Sequence, residues 1–102
     1  MSGGSAQAVG IVSTTVQGVV TIATTSTEIV AANANRVTLY LTVTGARDVF
    51  IGIGVPAVFG EGIKIDKNGG QFTFDSSGVS TAAINGISDV TTTTVAFTEG
   101  SK

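Results

Sequence analysis

The chain has 102 residues, of which 12% are charged, and its formal net charge at pH 7 is -2. This length accommodates one hydrophobic core, so we expect a single domain. The absence of cysteine and histidine excludes disulfides, thiol or histidine catalysis, and most zinc or haem sites. The mild acidity, with a pI near 4.7, argues against electrostatic binding of nucleic acid or of an anionic membrane.

The low charge also bears on association. Charged residues make up roughly 25% of an average soluble domain, whereas this chain combines few charges with a mean hydropathy of +0.45. Such a surface associates readily, so we expect a homo-oligomer or burial within a larger assembly. No apolar run approaches the ~20 residues of a membrane helix, and residues 1–7 lack the basic character of a signal peptide.

The N-terminal segment, residues 1–17, carries no charge and no regular hydrophobic period. We interpret it as an extended arm that adds a strand to an exposed edge of a neighbour, and residues 18–102 as a β-sandwich domain. The alternatives are a first edge strand for residues 8–17 and a disordered leader, which suits residues 1–7 best. The apolar arm residues assigned to the contact are Val9, Ile11, Val12 and Val16.

Residues 36–44 show the clearest pattern in the chain. Val37, Leu39, Leu41 and Val43 alternate with Thr38, Tyr40, Thr42 and Thr44. This period of two places the aliphatic side chains on one face of a strand and the threonines with the tyrosine on the other. After the polar break at 45–48, residues 49–53 predict a second strand that folds back on the first as an antiparallel hairpin.

Shorter strands are predicted on both sides of this hairpin. Residues 18–24 and 27–32 are rich in β-branched side chains, and the asparagines at 33 and 35 favour a turn. Residues 54–62 contain three glycines and the only proline, so they predict a loop. The KNGG sequence at 67–70 predicts a tight turn that joins strands at 62–66 and 71–75 in a hairpin. Residues 81–88, interrupted by Gly86, and 92–99 supply the last strands.

About seven or eight short strands separated by turns indicate an all-β fold. We expect a small antiparallel β-sandwich, jelly-roll-like, or alternatively a barrel, with an extended N-terminal arm. No apolar stripe of helical period persists, so no helix is predicted. The expected core consists of Val20, Ile22, Ile29, Val37, Leu39, Leu41, Val43, Val49, Ile51, Ile63, Ile65, Phe72, Phe74, Ile84, Ile87, Val95 and Phe97.

Candidate sites for chemistry are weak. A glycosidase needs two carboxylates that face each other across a cleft, whereas nearly all acids here fall in predicted turns or at strand ends. Asp66 and Asn68 suggest a calcium site only loosely, because the ligand spacing of an EF-hand loop is absent, and a hairpin turn explains them better. We therefore predict that the protein is not an enzyme and has no metal or cofactor site.

Candidate interaction residues are more distinct. Tyr40 on the threonine side of its strand and Arg36 at its start are of the types enriched in interfaces, although Tyr40 alternatively only covers the sheet. Val55, Val58 and Phe59 make the predicted loop unusually apolar. Either Phe59 folds in to cap the open end of the sandwich, or these side chains meet a partner. The sequence favours neither.

Residues 32–100 resemble small tailed-phage virion proteins, most closely capsid decoration (cement) proteins. The resemblance rests on ANANRVTLYLTVTGARDVFIGIG, followed by GIKIDKNGGQFTF, AAINGISD and TTVAFTEG. These segments match a turn that enters a strand, an N/D-V-x-I-G strand, a G-I-x-L hairpin and a final V-x-V-T-E strand. Ala34 stands where proline is common in this group. The resemblance leaves residues 8–31 without a counterpart.

The resemblance implies a structural virion protein that binds and stabilises a phage capsid from outside. The expected partners are the major capsid protein and further copies of the chain in a homotrimer, without nucleic acid or membrane. The expected location is the capsid surface, after synthesis in the host cytoplasm. The alternatives are a tail or baseplate accessory protein and a surface carbohydrate-binding module, although the latter usually relies on exposed aromatic side chains and the chain has one tyrosine and no tryptophan.

Overall fold

The computed structural model describes residues 12–74 and 78–102. The strands in these ranges are β1 Thr14–Ile22, β2 Thr27–Val30, β3 Arg36–Val43, β4 Val49–Ile53, β5 Ile63–Ile65, β6 Gln71–Phe74, β7 Ile84–Ser88 and β8 Thr93–Ser101. They form two four-stranded sheets. Sheet one has the order β1-β8-β3-β6, and sheet two has the order β2-β7-β4-β5.

The first half of the chain pairs antiparallel with the second half, and this long two-stranded ribbon folds into the two sheets. Strand β1 pairs with β8, β2 with β7, β3 with β6 and β4 with β5, and each of these pairs is antiparallel. The pairs then alternate between the sheets, which is the connectivity of a jelly roll. The prediction of an all-β antiparallel sandwich is therefore confirmed, and the separate sheets correspond to its jelly-roll form and not to the alternative of a barrel.

Both predicted hairpins are wrong for the same reason. β3 lies in sheet one and β4 in sheet two, so residues 45–48 cross between sheets and do not close a hairpin. Residues 67–70 form the predicted turn, with positive φ at Asn68 and Gly69. However, they lead from β5 in sheet two to β6 in sheet one. The ribbon pairs strands that are distant in sequence, which local turn signals do not reveal.

The core lies between the sheets. Leu39 and Leu41 of sheet one are fully buried, as are Ile84 and, almost completely, Ile51 of sheet two. Burial follows the pleat of each strand, so the aliphatic side of β3 faces inward as predicted. Most of the predicted core residues are buried or packed against this cluster.

Three positions depart from the expected core. Ile87 is only partly buried, because β7 buries residues 84, 86 and 88 and turns Ile87 to the outer face, where it pairs with Phe50. Val30 is buried beside Ile29, because a register shift in β2 interrupts the alternation. Ala57 is buried within the loop that follows β4. A strict alternation of buried and exposed positions predicts neither a β-bulge nor the burial of a residue within a loop.

The predicted N-terminal arm lies only partly within the described residues. From Thr14 onward the chain belongs to β1, and Val16 pairs with Glu99 of the same chain. The backbone NH of Ser13 also donates to the carbonyl of Ser101, at 2.7 Å. These residues therefore form an edge strand of sheet one, the alternative weighed for residues 8–17. Val9 and Ile11 lie outside the described residues.

Candidate functional site

The loop between β4 and β5 presents three exposed apolar side chains. Val55 and Phe59 are each 57% exposed and Val58 is 47% exposed; we call these three residues the loop patch. Val55 and Val58 line a cavity of about 90 Å³ above Gly52, on the outer side of sheet two. The patch was among the interaction candidates, and its side chains are accessible.

Hydrogen bonds hold the loop against sheet two. The Asn85 side-chain amide donates to the carbonyl of Val55 at 2.8 Å, and the NH of Ala57 donates to the hydroxyl of Ser26 at 2.8 Å. The absence of a side chain at Gly52 allows this approach, since a Cβ there would lie 2.7 Å from the carbonyl oxygen of Val55. The apolar side chains are thus displayed on a positioned loop.

Phe59 does not take the capping position that the sequence left open. Its ring packs edge-on against Phe50, with ring centroids 5.1 Å apart. Phe50 alternates with the buried Val49 and Ile51, so this contact lies on the outer face of sheet two and not at the open end of the sandwich. Most of the Phe59 ring is therefore available to a partner.

The outer face of sheet one forms the second candidate surface, on the opposite side of the molecule. We call it the threonine face. Its side chains come from alternate positions of four strands: Gln17, Val19 and Thr21 of β1, Thr94, Ala96 and Thr98 of β8, Thr38, Tyr40 and Thr42 of β3, and Gln71 and Thr73 of β6. None of these residues is charged. Tyr40 is 47% exposed, as its place on this side of β3 predicted.

The strand registers align the threonine face in rows. Gln17 lies beside Thr98, Thr98 beside Tyr40, and Tyr40 beside Thr73. The next row contains Val19, Ala96, Thr42 and Gln71. A depression of about 340 Å³ lies over β1 and β8, and its lining includes Gln17, Val19, Ala96 and Thr98. These four side chains belong to the outer face, and Gly18 and Phe97, which alternate with them at inward positions, complete the lining. The depression therefore lies on the threonine face; Tyr40 is not part of its lining but is the strand neighbour of Thr98.

Sequence reasoning found Tyr40 but missed its neighbours. The alternation of Thr94, Ala96 and Thr98 with Val95 and Phe97 was available as a signal that these threonines share a face. No local signal connects them to Tyr40. Only the pairing of β3 with β8, more than 50 positions along the chain, brings Thr98 beside Tyr40.

Arg36 was predicted as an exposed interface residue, and this prediction is wrong. Its side chain is fully buried, and its Nε donates to Glu99 Oε2 at 2.7 Å. The guanidinium also donates to three backbone carbonyls, those of Ala31, Ser80 and Ala82, at 2.7 to 2.8 Å. Five donors in a planar fork suit this role. Arg36 therefore joins β3, the end of β8 and the segments beside β2 and β7.

A second arginine, Arg47, forms a bidentate ion pair with Asp89 at the other end of the sandwich. Its Nε lies 2.7 Å from Oδ1 and an Nη lies 3.0 Å from Oδ2. The hydrogen bond from Arg47 lowers the pKa of Asp89, and the same bond raises the pKa of Arg47. This pair is partly exposed, in contrast to Arg36 and Glu99.

The remaining acidic groups within the described ranges are the candidates for metal ligands. Residues 12–74 and 78–102 contain no group of three or more acidic, cysteine or histidine side chains that could hold a metal ion. The Asp48 carboxylate accepts a hydrogen bond from the NH of Lys67 at 2.8 Å, so it supports a turn. This part of the chain also lacks any helix of the length and hydrophobicity needed to cross a membrane.

The two candidate surfaces therefore lie on opposite sides of one sandwich: a positioned apolar loop on sheet two and an uncharged hydroxyl-rich face on sheet one. Comparison with protein families, with curated proteins and with solved structures gives no match to this chain.

Proposed function

We propose that the protein is a structural virion component that binds a phage capsid from outside and stabilises it, as a homotrimer. The observation that carries this proposal is the loop patch. Val55, Val58 and Phe59 remain exposed although hydrogen bonds hold their loop in place. Exposed apolar side chains that cluster on a positioned loop are typical of protein interaction sites.

The energetics of such a patch favour association with protein. A positioned loop loses little conformational entropy when it binds, so more of the gain from burying its apolar side chains contributes to affinity. Each fully buried Val or Phe side chain contributes about 1.5–3 kcal/mol relative to exposure. The three patch side chains are 47–57% exposed, so burial of the remainder contributes roughly half of this value for each. In a docking contact that is repeated over a capsid, these contributions add up over many copies.

The fold supports the same proposal by analogy. Jelly rolls occur in viral capsid proteins and in lectins, so the fold alone does not separate a structural from a sugar-binding role. The loop patch favours the structural role, with a tail or baseplate protein as the alternative partner.

Capsid binding is tested by co-sedimentation with empty capsids of the phage whose genome encodes the chain. We expect Val55→Asp and Phe59→Asp to weaken binding more than about tenfold, since each places a charge in an apolar contact. Val90→Asp is the matched control, because Val90 is 66% exposed but lies in the β7–β8 turn at the opposite end of sheet two. Equal binding by all variants would contradict the role of the loop patch, and binding to isolated tails instead of capsids would favour the tail alternative.

The trimer is tested separately by light scattering of the purified chain. We expect a mass of about three times the 10.1 kDa of one chain, because a surface with so few charges gains stability when part of it is buried between copies. A mass of one chain at micromolar concentration would refute the trimer but leave capsid binding by the loop patch intact.

A further inference from the structure

The threonine face has a composition that the proposed docking function does not use. It lies on the opposite side of the sandwich from the loop patch, and it displays hydroxyl and amide groups around one exposed aromatic ring. Hydroxyls both donate and accept hydrogen bonds, and a side-chain amide does the same. An aromatic ring adds an apolar surface with a polar end. This combination matches the surface of a sugar, which carries hydroxyls at its rim and C–H groups on its faces.

We propose that the threonine face binds a neutral oligosaccharide, with Tyr40 as the stacking surface and Gln17, Thr73 and Thr98 as hydrogen-bond partners. These four residues lie in one row across β1, β8, β3 and β6. Adjacent strands are about 4.8 Å apart, so the row extends over roughly 14 Å. A short linear oligosaccharide spans this distance. The inference goes beyond capsid binding and does not depend on it.

The depression beside Tyr40 gives the site its shape. Ala96 is the smallest outer side chain of its lining, Val19 lies beside Ala96 on β1, and Thr98 follows two residues along β8. Its volume of about 340 Å³ falls at the lower end of the range of roughly 300–1,000 Å³ for small-molecule sites. When one sugar unit occupies the depression, the next unit of an oligosaccharide that follows the row lies over the ring of Tyr40.

Charge decides which saccharides fit. The face carries no charged residue among its outer side chains, so it provides no counter-ion for a sulfate or a carboxylate. Transfer of such a group from water onto the face leaves it without the charge-assisted hydrogen bonds that compensate for desolvation. Uncharged hexoses lose no comparable hydration energy. The site therefore selects neutral over acidic sugars.

A trisaccharide covers only part of the threonine face. Four strands about 4.8 Å apart and three or four side-chain rows about 6.8 Å apart span a flat area of roughly 400–500 Å². A second copy of the chain is the competing occupant, and the concentration dependence of the amide signals without sugar distinguishes the two.

The test is NMR titration of the ¹⁵N-labelled full chain with maltotriose, cellotriose, mannotriose and N,N′,N″-triacetylchitotriose, with trigalacturonic acid as the acidic comparison. We expect at least one neutral trisaccharide to shift the amide signals of Gln17, Tyr40, Thr73 and Thr98, and the acidic one to shift none. Tyr40→Ala should weaken binding about tenfold, whereas Tyr40→Phe keeps the ring and most of the affinity. Phe59→Asp, on the other side, should bind as the wild type does.

Three results would overturn the proposal. The first is the absence of shifts with all four neutral probes at 10 mM, and the second is equal affinity of Tyr40→Ala. The third is a shift of these four amide signals with rising protein concentration in the absence of sugar, which would assign the face to a second copy of the chain. Thermal unfolding of Tyr40→Ala and Tyr40→Phe distinguishes loss of the site from loss of the fold.

Discussion

Replacement of Arg36 by leucine should lower the free energy of unfolding by about 3–5 kcal/mol, the usual result of removing one partner from a buried ion pair. The side chain is fully buried, and it donates to the Glu99 carboxylate and to the carbonyls of Ala31, Ser80 and Ala82. Leucine leaves all four acceptors without this donor. Because the total free energy of unfolding of a small domain is only about 5–15 kcal/mol, we expect a large decrease in the urea concentration at the unfolding midpoint.

Two further variants isolate the cause. Arg36→Lys keeps the charge but lacks the planar fork, so it satisfies fewer of the four acceptors and should recover only part of the loss. Arg47→Leu removes the partly exposed pair with Asp89 and should have a much smaller effect, since such pairs are screened by solvent. If Arg36→Leu and Arg47→Leu changed the midpoint equally, the assignment of Arg36 as a buried connector would be wrong.

Replacement of Leu41 by alanine should lower the free energy of unfolding by about 2–5 kcal/mol, the range for a truncated core leucine. Leu41 is completely buried, and its strand neighbours on sheet one are Phe72 and Phe97. Short strands leave few side chains to move into the cavity that alanine creates. Equilibrium unfolding in urea provides the measurement.

Thr42→Ala is the matched control, one residue further along the same strand but on the threonine face. Its effect should stay within about 0.5 kcal/mol, as for most surface positions. The same comparison applies to Leu39→Ala against Thr38→Ala, with Leu39 also completely buried. Similar midpoints for the leucine and threonine variants would show that the two faces of β3 are assigned incorrectly.

Local patterns were sufficient to predict the fold class and much of the core. The alternation in residues 36–43 determined which side of β3 is buried, because successive side chains of a strand point to opposite faces. The glycines and the proline identified the 54–62 loop, and Asn68 with Gly69 identified a turn. The exposure of Tyr40 followed from the same alternation, whereas the sequence left open whether Phe59 folds in or stays exposed.

Tertiary structure alone decided which strands pair and which side chains meet. A turn signal specifies a change of direction but not whether the chain stays in one sheet, so both predicted hairpins failed where the ribbon crosses between sheets. Burial of Arg36 likewise depends on carbonyls up to 46 positions away. The row that contains Gln17, Thr98, Tyr40 and Thr73 exists because strands distant in sequence are neighbours in sheet one. Periodicity determines the face of each strand, and the long-range hydrogen bonds of the jelly roll determine what that face lies beside.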